Sequence, residues 1–149
     1  MNRYLVCAAL LLLTASAVAD ERPDAYFKDG KLTATLDVQE LQGGVAGFTG
    51  TYTTVDPDGS WRLGRILPRD KRDTPTAFGK MSGAQLKKLA EVLAKNDLAN
   101  LPSAGKPTTN PHITIIKFGE HTATLMPEPK DPKVVARYAA IVDAVKKLE

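Results

Sequence analysis

The side chains most capable of chemistry in this 149-residue sequence are His112 and His121, its only two histidines. Imidazoles on neighbouring strands can share a metal ion, and a predicted hairpin brings these two strands together. No third ligand accompanies them, however, and no His-Glu-x-x-His helix is present. They read as ordinary strand histidines. A serine nucleophile needs a base within hydrogen-bond reach and a group that orients the base. Ser60, Ser82 and Ser103 instead stand where turns and helix caps want a hydroxyl. Asp56 and Asp58 have the spacing that opens a calcium loop, yet Pro57 between them and the missing downstream glutamate fit a turn better. Neither Gly-x-Ser-x-Gly nor Gly-x-x-x-x-Gly-Lys occurs. The expectation is a protein that is not an enzyme and takes neither metal nor cofactor.

What stands out is backbone rather than side chain. Gly43, Gly44, Gly47 and Gly50 fall within eight residues, together with Val45, Ala46 and Phe48. Glycine admits positive φ and lets another chain approach closely, at about 0.5–1 kcal/mol of conformational entropy relative to alanine in a regular element. The spacing is not the Gly-x-Gly-x-x-Gly of a dinucleotide fold. Gly43 and Gly44 suit a hairpin turn or a bulge. Gly47 and Gly50 require either a longer irregular loop or close approach by something else, so a bend and a contact surface both stay open.

The elements that must carry this segment follow from periodicity. Residues 1–19 read as a Sec-type signal peptide: Arg3 in a short basic start, an apolar run from Tyr4 to Leu13, and small residues at Ala17 and Ala19. The apolar run falls short of the roughly 20 residues that span a bilayer. Cys7 lies inside the leader without a lipoprotein box, so the remaining chain holds together without disulfides. Residues 20–30 read as a flexible lead-in and 31–149 as one domain. The formal net charge of +3 drops by one when Arg3 leaves. Arg62, Arg65, Arg69, Lys71 and Arg72 form the only basic cluster, partly offset by Asp70 and Asp73. It reads as a solvated loop, and nucleic acid binding is not indicated.

Leu32, Ala34, Leu36, Val38 and Glu40 alternate as in a half-buried strand. Phe48 to Val55, rich in threonine and aromatics, predicts a second strand. Asp56-Pro57-Asp58-Gly59 predicts a turn into a third, Ser60 to Ile66. Trp61 and Phe48 are candidate partner anchors, although in a chain with so few aromatics a core role is favoured. Pro68 to Lys80 reads as a loop. Ser82 with Gln85 has capping-box spacing and Met81 with Leu86 has staple spacing, opening a helix with Leu86, Leu89, Ala90 and Leu93 on one stripe. His112 to Phe118 and His121 to Met126 form the hairpin, and Asp131-Pro132 starts a final helix carrying Val134, Val135, Tyr138, Ile141, Val142, Val145 and Leu148 inward. The order β-β-β-α-β-β-α predicts an α+β fold, an antiparallel sheet of about five strands with two helices on one face.

A strand, Gly43-Gly44-Val45-Ala46-Gly47, a second strand, Met81-Ser82-x-x-Gln85-Leu86 opening a helix, two later strands and a terminal helix together resemble the emfourin (protealysin inhibitor) family, over roughly Leu36 to Leu148. The chain departs from the family pattern in its leader, in the Asp56 to Lys80 segment, and in Asn110-Pro111 where an acidic residue is expected. The resemblance implies inhibition of thermolysin-like zinc metallopeptidases by occlusion of the cleft, with no chemistry. A narrow cleft admits a flat glycine backbone and hydrogen-bonds it without side-chain clashes. The expected partner surface is Gly43, Gly44, Val45, Ala46, Gly47, Phe48 and Gly50, on a secreted or periplasmic protein. The alternative is a non-catalytic structural or interaction module of the cell envelope.

Overall fold

The alternating run around Leu36 becomes the centre of the molecule. In the structure, a computed structural model, residues 23–129 and 131–148 are described. The predicted signal peptide lies outside the described residues. β3 (Leu36–Gln42) is flanked on one side by β4 (Thr49–Val55) and on the other by β8 (His112–Phe118). β5 (Ser60–Leu67) continues the sheet beyond β4, and β9 (His121–Leu125) closes it beyond β8. These strands pair antiparallel, with Val38 opposite Thr53 on one side and Ile116 on the other, and an isolated parallel bridge joins Ala104 to Leu125.

The α+β class follows, with a larger sheet than the pattern predicts. Among the described residues seven strands form the main sheet and two more a separate hairpin, where about five were expected. The two additional sheet strands lie in Pro68 to Lys80, which the sequence predicts as loop. They are β6 (Lys71–Arg72) and β7 (Ala77–Lys80), both paired along the outer edge of β5. Eight residues of β5 give room for both. Each is too short to display an alternation, so no periodic signal announces it.

The segment expected as a flexible lead-in is also built into the fold. Pro23–Ala25 form a turn of 3-10 helix, and β1 (Phe27–Lys28) pairs with β2 (Lys31–Leu32). Tyr26 is buried, its ring meets Phe118 edge-on, and its hydroxyl accepts the Ala99 N–H at 2.9 Å. The predicted continuous strand from Lys31 thus breaks at residues 33–35, where Thr33 N–H turns back to the Tyr26 carbonyl.

α1 (Gly83–Lys95) begins as predicted: Ser82 and Gln85 form the reciprocal capping box, and Leu86, Leu89, Ala90 and Leu93 are buried. Past its end, Arg137 donates to the carbonyls of Asn96 and Asp97 at 2.7 and 2.6 Å, the first of them a cap carbonyl that the helix leaves open. α2 (Pro132–Lys146) starts at the Asp131 N-cap and buries Tyr138, Ile141, Val142 and Val145. Both helices join one core with Leu36, Val38, Val55 and Ile116 from the sheet. No helix among the described residues is long and apolar enough to cross a membrane.

Among the described residues the opposite face of the sheet carries no helix, and its core is a smaller cluster of Leu41, Tyr52, Ile66 and Ile113. A polar network crosses it. Arg72 donates to both oxygens of Asp37 at 2.7 and 2.8 Å and lies 4.4 Å from the centre of the Tyr52 ring. Thr54 and Gln39 also donate to Asp37. Gly64 makes the stack possible, because a side chain there would occupy the Tyr52 ring. Two-residue β6 is therefore tied down by its arginine rather than by apolar burial.

Candidate binding site

The glycine segment is the connection between β3 and β4, spanning the short gap between the Gln42–Thr49 pair. Both of its ends are fixed. Gly43 donates its N–H to the Pro111 carbonyl at 2.7 Å, and Gln42 Nε2 reaches the Asn110 carbonyl at 2.7 Å. A Cβ at Gly43 would strike the Pro111 ring. Across the turn, Gly47 N–H closes onto the Gly44 carbonyl at 3.0 Å, and Gly47 has a φ of +104°, a region that L side chains avoid. Gly50 pairs with Leu41, and a Cβ there would run into the Glu40 carbonyl.

Three of the four glycines thus serve the chain's own backbone. Gly44 has neither constraint: its φ is ordinary, and the nearest atom to an added Cβ is 3.8 Å away. What the arrangement presents is Val45, fully exposed at the apex, with Gly44, Ala46 and Gly47 also exposed around it. Phe48 is half-buried and packs against the Leu41, Tyr52, Ile66 and Ile113 cluster, so its ring braces the turn from below. An exposed valine forgoes about 1.5–3 kcal/mol that burial would return. A rigid turn that holds it out has already lost the freedom that binding would otherwise take away.

Two neighbouring connections share this end of the sheet. Pro111 and Asn110 lead into β8, and the turn between β5 and β6 brings the Arg69 backbone nitrogen within 4.0 Å of where a Gly47 Cβ would stand. Arg69, Asp70 and Asn110 all have positive φ, at 66°, 57° and 53°. Non-glycine residues persist in that region only where their surroundings hold them. Neither neighbour was legible as part of the site, because the contacts join segments far apart in sequence without a local motif.

The groups with chemical potential are dispersed. His112 pairs with Gln42 beside the turn and is exposed, whereas His121 pairs with Phe118 at the other end of the hairpin. His121 Nε2 is buried without a hydrogen-bond partner among the described residues. No group of three His, Cys, Asp or Glu residues among the described residues is placed to hold a metal ion. Ser60 Oγ donates to Asp58, Ser82 caps α1, and Ser103 Oγ accepts the Thr124 N–H. Asp56 pairs with Arg62 at 2.8 Å. Ser60 N–H and Lys80 hold the Asp58 carboxyl well below the usual carboxylate range. Those of Ser60, Ser82, Asp56 and Asp58 are turn and capping contacts, whereas Ser103, expected in a turn or cap, instead meets β9 at a residue 21 positions away. Trp61 is half-buried against the main core rather than standing free.

No protein-family model matches the chain, and no curated protein matches it.

Proposed function

We propose that this protein is an exported, non-catalytic binding domain that inserts the Gly43–Phe48 turn into the cleft of a thermolysin-like zinc metallopeptidase and blocks it. The observation that carries this reading is Val45, fully exposed on a turn whose two ends are pinned to the sheet and to Pro111. Inhibition by occlusion needs a protruding, pre-ordered segment and no reacting group. Narrow glycine backbone on either side of one apolar anchor meets that need.

The experiment is an inhibition series on a panel of such peptidases with the purified protein. Micromolar protein is expected to slow at least one enzyme. Gly44→Val, at the glycine with room for a side chain, is expected to weaken inhibition while the circular dichroism spectrum stays unchanged. An unaffected panel would sink the reading. Gly47→Val is the poorer probe, since its positive φ would strain the turn itself.

The envelope-module alternative has its own supporting observation in Phe78, exposed on the outermost strand β7 beside a groove lined by Trp61, Arg62 and Pro75. It requires Phe78→Ser to release the protein from an envelope fraction while Val45→Ser leaves retention unchanged.

A further inference from the structure

The basic cluster of the β5–β6 region divides into two kinds of cation. Arg62 is paired with Asp56, and Arg72 with Asp37. Arg65, Arg69 and Lys71 are exposed and make no ion pair among the described residues. Asp70 and Asp73 take part in no ion pair among the described residues, and Asp73 accepts the Thr74 N–H, so these two carboxylates offset the three cations only in part. The acids that pair in this region come from β3 and from the β4–β5 turn, so the charge left over lies toward the β5–β6 tip.

That tip stands beside the glycine turn. Arg69 adjoins Gly47 through its backbone, Lys71 pairs with Leu67, and Arg65 pairs with Thr51 near the start of β4. A molecule seated over Val45 therefore meets three unpaired cations, in excess over Asp70 and Asp73, on one side of the apex. At 0.1 M ionic strength charges act over about 10 Å, enough to reach the rim of a cleft that receives the turn. Like charge there would oppose docking, whereas unlike charge would attract and orient the partner.

From this we infer that the partner peptidase carries an acidic rim beside its cleft, and that Arg65, Arg69 and Lys71 steer the encounter while Val45 holds the complex. The inference rests on the reading of the glycine turn as the docking element, and the two make separable kinetic claims. Steering acts on the association rate, and burial of an apolar anchor acts on the dissociation rate.

The test measures both rate constants against an inhibited thermolysin-like peptidase at low and high salt. Three proteins are compared with the parent: Arg65→Glu/Arg69→Glu/Lys71→Glu, a control reversing the exposed Lys87, Lys88 and Lys133 on the helices, and Val45→Ser. The tip reversal is expected to lower the low-salt association rate about tenfold or more, with the deficit shrinking as salt rises. The helix control, equal in net charge, is expected to stay close to the parent. Val45→Ser is expected to raise the dissociation rate with little change in association. Equal association rates for tip reversal and control would overturn the steering inference alone. An unchanged dissociation rate for Val45→Ser would overturn the turn as anchor, and absence of parental binding would overturn both.

Discussion

Glycine serves two purposes in one segment here, and single methyl groups tell them apart. Gly50→Ala places a Cβ against the Glu40 carbonyl, and overpacking of that kind costs about 1–3 kcal/mol. Gly44→Ala meets only an ordinary van der Waals contact, the Gly47 carbonyl oxygen at 3.8 Å, and is expected to change stability by less than about 0.5 kcal/mol. Urea unfolding of the two variants checks the pair, and equal losses would contradict the geometry. The glycine run was conspicuous in the sequence, but the reason for Gly43 was not, since Pro111 reaches it only through the β3–β8 pairing. Tyr138 offers a second residue-level test. Burial pushes its hydroxyl up to about 12 while it donates to the Pro102 carbonyl at 2.9 Å. A raised pKa means that the folded state holds its proton longer than the unfolded chain. The contribution is therefore complete below the ordinary value of 10.0 and is lost as pH rises toward about 12. Tyr138→Phe is expected to flatten the decline of stability across that alkaline window, as read by denaturant midpoints. A decline as steep as the parent's would contradict this origin.

At the scale of elements, the helices were the most legible part and the short edge strands the least. Ser82 and Gln85 sit three residues apart before an apolar stripe, a local signal, and the capping box forms as spaced. Ser82→Ala removes one half of it and is expected to cost about 1 kcal/mol, measured as a lowered urea midpoint. α2 likewise follows from Asp131-Pro132 and its inward-facing Tyr138, Ile141, Val142 and Val145. β6 had no comparable signal because its placement depends on contacts with other segments: its pairing with β5, the Tyr52 hydroxyl on the Asp73 carbonyl, and the Arg72 guanidinium on Asp37 across the face opposite the helices. Arg72→Ala takes the cation and its hydrogen bonds from Asp37, whose side chain is only 11% exposed, and leaves it Thr54 and Gln39 as donors. Losing hydrogen bonds to such a charged group costs about 1.5–3 kcal/mol. Amide exchange is expected to quicken in β6 before β4 or β8, whereas uniform quickening would contradict a local role. The first strand pair was obscured by composition: Pro23 and Gly30 suggest a polar lead-in, while Tyr26, buried at 3% exposure, ties that segment to α1 and Phe118.

Taken whole, the molecule puts its stability and its exposed features in different places. The larger core lies between the helices and one face of the sheet, while the smaller cluster on the other face supports the β3–β4 turn through Phe48. Among the described residues the two exposed large apolar side chains, Val45 and Phe78, occupy different regions, one at the glycine turn and one on outer strand β7. This separation makes the site of docking decidable by amide hydrogen exchange, with and without a saturating thermolysin-like peptidase. Docking through the turn predicts new protection at the exposed amides of residues 44–46, with β7 unchanged. Protection confined to Ala77–Lys80, with residues 44–46 exchanging as in the free protein, would contradict the account.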